Sequence, residues 1–389
     1  MTKKWSSRLT FFAFVVLMVG LGSNDSLRGI FSTIFQEHFS LTTTQLGLIV
    51  TASYIGNLVF LLVGGNLSTR FSKKRVLQVL ILIWMAALAL FAFTSNYTVL
   101  LIGMALALGS STLLNTTMNL ITPLLFATAP GFFVNFLFFT QEIGTSGSQY
   151  ILGSHADGFA FWQHTNLVLL ILGAVAFVLL LFCNVPEEAA ASADAPAQKG
   201  GYDWRIIVPY VLVFGFYFIA EHGVMNWMVA YGVDGLGLPQ ASAAKYLSVF
   251  FGGMMIGRLC LSPLVDKLGA LKSLAAFGGV SCVLYLIGSL GGAVTMPVWA
   301  ISGLSFSILY PTLVMSIRLY FPAQQVSGAA GTILSIASLA DILFNVGFGK
   351  LVDMAGYAVS IRVLPLSVLA FFIVFMLFTK FCKPTQKLK

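Results

Sequence analysis

Charge is the scarcest thing in this sequence. Asp, Glu, Lys and Arg together make up 9% of its 389 residues, against about 25% in an average soluble domain. A soluble fold so poor in charge has no means of covering its surface with polar groups, which makes lipid the surrounding solvent. Strand-like alternation is also missing. In a bilayer every backbone polar group must be satisfied internally, by helices or by a closed barrel, and without alternation the choice falls on helices. Histidine and cysteine are rare, with 4 of each. Cys183, Cys260, Cys282 and Cys382 stand far apart, in or beside apolar runs. Their spacing fits no metal site, and they are expected to be small buried hydrophobes without disulfides. There is no Walker loop, no catalytic triad and no His/Cys cluster, and glycine pairs such as those in "GGMMIGR" fall inside apolar runs. The sequence therefore predicts no enzyme, no cofactor and no metal.

What is present is apolar. Hydrophobic residues reach 58% and the mean hydropathy is +0.93. A crossing helix needs roughly 20 such residues. The apolar runs predict about twelve spans, at 9–35, 43–69, 75–94, 97–127, 131–154, 164–185, 204–232, 241–266, 271–291, 293–320, 325–351 and 358–381. The N-terminal run has the charge pattern of a signal peptide but no small-x-small cleavage site, so it is expected to remain as the first span. The longest polar stretch, "NVPEEAAASADAPAQKGGYDWR", separates the sixth span from the seventh. It predicts an N-terminal six-helix half at 1–185, a cytoplasmic linker at 186–203 and a C-terminal six-helix half at 204–389.

The net charge is +8. Its basic residues cluster at span ends, which points to topology and lipid contact and away from nucleic acid. Lys3, Lys4 and Arg8 precede the first span, and Arg70, Lys73, Lys74 and Arg75 follow the second. Lys267 and Lys272 follow the eighth; Lys380, Lys383, Lys387 and Lys389 end the chain. All fall on one side if the N-terminus is cytoplasmic, with Lys350 and Arg362 as exceptions. Both termini are expected in the cytoplasm, and the membrane is expected to be a bacterial inner membrane.

The chain also repeats itself. A shift of 197 residues sets "GNLSTRFSKKR" on "SPLVDKLGALK", pairing Leu67 with Leu264, Thr69 with Asp266 and Arg70 with Lys267. The same shift sets Asn24 and Asp25 on Glu221 and His222, and Asn115 and Asn119 on Thr312 and Ser316. A shift of 199 sets Glu142 on Asp341. Polar residues inside the apolar runs thus recur at matching places in both halves.

"GNLSTRFSKKR" resembles the major facilitator signature G-x-L-[AS]-D-R-x-G-[RK]-[RK], with Thr69 where Asp is usual; the second copy keeps the acid as Asp266. The resemblance implies an all-α membrane protein with the major facilitator fold, two pseudo-symmetric six-helix halves and a substrate site near the midplane between them. It implies a gating role for Gly65, Arg70, Lys74, Asp266, Lys267 and Gly269. Finer motifs resemble the fucose permease branch of sugar:proton symporters. These are "SNDSLRGIFSTIFQEHFSLTTTQLGLIVTASYIG", "YFIAEHGVMNWMVAYGVDGLGL", "YLSVFFGGMMIGRLCLSPLVDKLG" and "SFSILYPTLVMSIRLYF". The branch's proton-linked acid in helix 1 is retained as Asp25. Its helix-4 acid is absent, because Asn115 stands there.

A charged side chain at a helix centre costs about 2.5–3.5 kcal/mol on insertion scales, so such residues face a bundle interior or a wet cavity. Asp25 and Arg28 share one face at i, i+3 spacing. Glu142, Gln141, Thr145 and Gln149 form a wide polar arc in span five. Glu221, His222, Asn226 and Trp227 follow one another in span seven, and Asp341 and Asn345 share a face in span eleven. Asp25, Glu142, Glu221, His222 and Asp341 are the candidate proton carriers. Asn24, Arg28, Asn115, Asn119, Gln141, Thr145, Gln149, Asn226, Trp227 and Asn345 are the candidate substrate contacts, with Trp227 a flat platform for a sugar ring. Each has a plainer reading: an Asp25–Arg28 ion pair, small-residue packing in span five, an interfacial Trp227, interhelical glue at the asparagines. Arg258 is read as structural.

Paired amides and hydroxyls with few free positive charges suit a neutral monosaccharide. The sequence therefore predicts a secondary transporter working by alternating access. It takes a small-molecule substrate with a proton, or with sodium as the other ion, and acts in the bilayer as a monomer. The competing function is a proton-driven exporter of drugs or hydrophobic metabolites; the many Phe and Met residues fit it, but lipid contact explains them equally. A further possibility is an organic-anion carrier using Arg28.

Overall fold

The computed structural model describes residues 3–126, 130–186 and 203–384, and within them the side chains of 3–6, 63–70, 130–132, 135, 266, 323–324, 327 and 341 lie outside the description. The predicted linker, 186–203, falls almost wholly outside it, as do the side chains of Lys3, Lys4, Lys387 and Lys389.

The described chain is helical, and its helices start where the sequence supplies caps. Thr42 and Gln45 bond reciprocally, Thr42 N to Gln45 Oε1 at 2.9 Å and Gln45 N to Thr42 Oγ1 at 3.2 Å. This capping box opens α3, Thr43–Arg70. Asn96 Oδ1 accepts from Thr98 N and Val99 N ahead of α5, Tyr97–Leu125. Asp203 Oδ1 accepts from Arg205 N ahead of α8, Trp204–Ala230.

The chain divides into two compact units, Met1–Ala195 and Pro196–Lys389. The first holds α1 (Lys3–Ile30), α2 (Ser32–Phe39), α3, α4 (Lys73–Phe93), α5, α6 (Pro130–Ile151) and α7 (Phe159–Leu181). The second holds α8, α9 (Gln240–Leu268), α10 (Ala270–Leu290), α11 (Met296–Ile301), α12 (Gly303–Phe306), α13 (Leu309–Ser316), α14 (Ala323–Ala355), α15 (Tyr357–Ser360) and α16 (Val363–Phe381). Among the described residues 11 stretches are long and apolar enough to cross a membrane; α6, 22 residues long, is the remaining long helix. Three predicted spans differ from the outcome, the twelfth, 358–381, by dividing into α15 and α16 at Ile361 and Arg362. The first, 9–35, breaks at Phe31, and the short α2 then stops at Ser40, whose φ of 51° lies in the left-handed region. The tenth, 293–320, is three short helices. There Ser302, Ser305 and Ser307 each donate to the carbonyl three residues back, at 2.5, 2.9 and 2.7 Å, and so compete with the helical ladder.

Within each unit the same pairings recur. In the first, α1 packs on α6 and α7, α3 on α5, and α4 on α5 and α7. In the second, α8 packs on α14 and α16, α9 on α11 and α12, and α10 on α11, α13 and α16. Span for span the two sets correspond, so the sequence repeat is a repeat of packing. Lipid gives helices no hydrophobic reason to associate, so contact rests on close approach of small residues. Gly56 lies on the Ala105 carbonyl of α5, and Gly303 lies on the Phe250 carbonyl of α9.

The cysteines are unpaired, as expected. Cys183 and Cys282 are buried, but Cys260 is exposed on its helix surface, against the expectation that all four are interior.

Candidate functional site

In the first unit α1 and α6 touch backbone to backbone. Gly22 faces the Gln141 carbonyl and Gly144 the Val19 carbonyl, with no room for a Cβ on either side. Thr145 Oγ1 donates to Gly22 O at 3.2 Å, and Ser23 Oγ donates to Gly144 O at 3.3 Å. This contact brings the polar arc of α6 beside the polar turn of α1.

Asp25 stands half-buried in the last third of α1. Asn24 Nδ2 donates to its Oδ1 at 3.4 Å, and Ser111 Oγ on α5 donates to its Oδ2 at 3.3 Å. Four residues along α5 begins a chain of amides. Asn119 Nδ2 donates to Asn115 Oδ1 at 2.6 Å, and Asn115 Nδ2 donates to Gln141 Oε1 on α6 at 2.6 Å. The ladder leaves Asn119 Oδ1 buried without a partner among the described residues. Gln149, fully buried, has neither Oε1 nor Nε2 satisfied. Each such group costs about 1–3 kcal/mol, so the unit carries unspent hydrogen-bonding capacity on α5 and α6.

Arg28 is 4% exposed. Its guanidinium lies over the Tyr54 ring of α3 at 5.8 Å, and its Nε has no hydrogen-bond partner among the described residues. Glu142 is half-buried on α6, one residue on from Gln141 and so about 100° round the helix from it.

In the second unit Glu221 and His222 are half-buried on α8. His222 stacks on Phe218 with ring centroids 5.4 Å apart. Tyr217, Tyr285 and Tyr310 all lie within electrostatic reach of Glu221, and Tyr217 and Tyr310 within that of Arg258. The acid thus sits among phenols with a guanidinium close by, which extends the structural reading of Arg258. Trp227 differs from the expected sugar platform. It is fully buried, donates from Nε1 to Asn345 Oδ1 at 2.9 Å and packs on Phe348 at 4.8 Å. Trp227 and Asn345 brace α8 against α14, and the buried indole leaves no ring face open. Asn226, 2% exposed, sits beside them with Oδ1 unsatisfied in the described bonding. The side chain of Asp341 lies outside the described residues.

Of the expected gating residues, Gly65, Arg70 and Asp266 fall on helices where no side chain is described. Lys74 donates from Nζ to Leu181 O at 3.0 Å and Cys183 O at 2.7 Å, holding the last residue of α7 and the chain just beyond it. Lys267 is exposed, and Gly269 joins α9 to α10 at φ 82°, a conformation that favours glycine.

Sequence reasoning missed Ser111, Tyr54, Tyr217, Tyr285 and Tyr310. Ser111 had a signal: it is one turn before Asn115 on the same face of α5. Ser111→Ala removes a hydrogen bond to a carboxylate, worth about 1.5 kcal/mol. The expected result is roughly tenfold slower transport with unchanged expression, read as initial uptake rate.

The family model for the Major Facilitator Superfamily matches residues 10–340. The chain belongs to that superfamily. It is an integral membrane transporter, from a family of carriers and not of enzymes. The L-fucose-proton symporter of Escherichia coli (strain K12) is 24% identical to this transporter over 333 residues, covering 74% of this chain and 75% of the relative. A glucose/galactose transporter of Brucella abortus biovar 1 (strain 9-941) is 27% identical over 344 residues, covering 82% and 81%. The crystal structure of a D-xylose-proton symporter superposes with a TM-score of 0.78 at 16% identity, covering 99% of each chain, a likeness of fold.

Proposed function

We propose that this transporter is a proton-coupled symporter that imports a monosaccharide or a similar small polar solute by alternating access. The observation that carries this reading is the Asp25 carboxylate, half-buried in a membrane-crossing helix and held by Asn24 and Ser111 beside the Asn115–Asn119–Gln141 amides. An acid in such a place binds and releases a proton as its surroundings change. Amides with unsatisfied atoms suit hydroxyl groups, and the two relatives are transporters of hydroxyl-rich sugars, fucose in one and glucose and galactose in the other.

In this reading the solute and proton bind from outside, the site is exposed to the cytoplasm, and the proton leaves last from Asp25. Glu221, with His222 beside it, is a second proton site; Glu142 and Asp341 are further candidates. Gly65, Arg70, Lys74, Asp266, Lys267 and Gly269 belong to the gating segments between crossings. The basic span ends support a reading with both termini cytoplasmic in a bacterial inner membrane and with 186–203 as the linker between the halves. No described feature favours drug export.

The test uses purified transporter in proteoliposomes with an internal pH dye and a panel of monosaccharides and their oxidised derivatives added outside. Acidification by a panel member supports symport, and silence across the panel overturns it. Glu221→Gln is expected to reduce the accumulation ratio at least tenfold, read as labelled solute retained at steady state; a normal ratio removes Glu221 from the proton path.

A further inference from the structure

Arg28 is the charged group that the Asp25 bonds leave unused. It is 4% exposed in the last turn of the crossing helix α1, and its Nε–H meets no acceptor among the described residues. The Tyr54 ring, 5.8 Å from the guanidinium, offers the weak attraction of an aromatic face. It accepts no hydrogen bond along the guanidinium edge. A buried cation without a hydrogen-bonded counter-charge is unfavourable. The partner that a planar guanidinium fork fits best is a carboxylate, through two parallel N–H···O bonds.

Position narrows the ligand. Arg28 lies six residues beyond Gly22 along α1, which is about 9 Å at the helical rise. Gly22 sits against Gln141, whose Oε1 begins the amide ladder with Asn115 and Asn119. Along α1 the cation thus stands about two helical turns from the level of the Gln141 backbone, in the same unit as the amides. An extended six-carbon chain measures about 6 Å between its terminal carbons, and a hydrogen bond at each end fills the rest.

We propose that Arg28 binds the carboxylate of a monosaccharide acid, a hexuronate or hexonate, whose hydroxyls are taken by Asn115, Asn119 and Gln141. The proposal rests on the symport reading and narrows its substrate class. It has an electrical consequence. One proton moving inward with one carboxylate transfers no net charge, so uptake follows the pH gradient and ignores the membrane potential. A neutral sugar moving with one proton carries a positive charge and is driven by both.

The experiment reconstitutes the full chain in proteoliposomes with an internal pH dye. A hexuronate, a hexonate and the matching neutral hexose are added in turn, with and without a potassium–valinomycin potential, negative inside. The expected result is acidification by the acids at a rate unchanged by the potential, with the neutral hexose at least tenfold slower. Arg28→Gln should slow acid-driven uptake at least about thirtyfold, while Arg28→Lys should retain part of it. Thermal unfolding of both variants in detergent shows that they are folded. Chloride and inorganic phosphate are added as competitors, because a bare anion offers the same charge. If they displace nothing, the site is for carboxylates; if they bind and no acid is transported, Arg28 is an inorganic-anion site and the proposal falls. Proton movement with the neutral hexose but with neither acid overturns the proposal and leaves the symport reading standing. Full acid transport by Arg28→Gln also overturns it. Silence with all three solutes overturns both.

Discussion

Asp25→Asn should abolish accumulation of solute against a gradient and leave exchange intact. The amide has the size and shape of the acid and keeps its bonds to Asn24 and Ser111: its Oδ1 accepts from Asn24 Nδ2, and its Nδ2 donates to Ser111 Oγ. It is therefore a fixed copy of the protonated state. A carrier locked in that state still binds solute and carries it across with the gradient, but it has no proton to release. Exchange of labelled for unlabelled solute across proteoliposomes should stay within a few fold of the wild type. The internal-to-external ratio at steady state should fall to about one. The magnitude follows from the coupling: a pH step of one unit supplies about 1.4 kcal/mol, a tenfold ratio, which the variant forfeits. Normal accumulation by Asp25→Asn removes Asp25 from the proton path, whatever happens at Glu221.

The second large effect is a contrast between two glycines on one helix. At Gly144 an added methyl group runs into the Val19 carbonyl and Ser23 N of α1. Three residues on, at Gly147, the same methyl group meets nothing within 4 Å. Gly144→Ala must push α1 and α6 apart or distort them, a strain of about 1–3 kcal/mol. It also moves Asp25 relative to the amides, since that contact sets the register between α1 and α6. Gly147→Ala should be neutral or stabilise the helix by up to about 1 kcal/mol, as alanine does in place of a helical glycine. Thermal unfolding in detergent reads both, with Gly144→Ala lower and Gly147→Ala equal to or above the wild type. Equal loss in both variants would mean that α6 tolerates no side chain at all and that the close approach is not the cause.

Much of this architecture is legible in the sequence because lipid imposes one rule on every residue alike. Twenty apolar residues in a row have to cross, whichever neighbours they find. Composition therefore predicts the helical class, and the run lengths predict most spans within a few residues. The 197-residue shift predicts a repeat that reappears as matched helix pairs, and the basic motif "GNLSTRFSKKR" predicts the superfamily. The polar residues inside the spans are equally visible, for a charge there is too expensive to be incidental.

Which of those residues meet was decided by tertiary structure. Helical periodicity assigns Asp25 and Arg28 to one face of α1, but it contains no information about the helix opposite. Packing made Ser111 of α5 the partner of Asp25 and placed Arg28 over Tyr54 of α3. It turned Trp227 and Asn345, two expected substrate contacts, into a bond between α8 and α14. The breaks at Phe31 and in the tenth span likewise escape a hydropathy reading, because serine is neutral on that scale and acts only through its bond to the backbone. Hydropathy sums over a window, whereas a hydrogen bond depends on two particular atoms meeting across a helix interface. The sequence by itself therefore determined the class, the crossings and the set of polar residues. The pairing of that set, and the Arg28 Nε left with no partner among the described residues, belong to the tertiary fold.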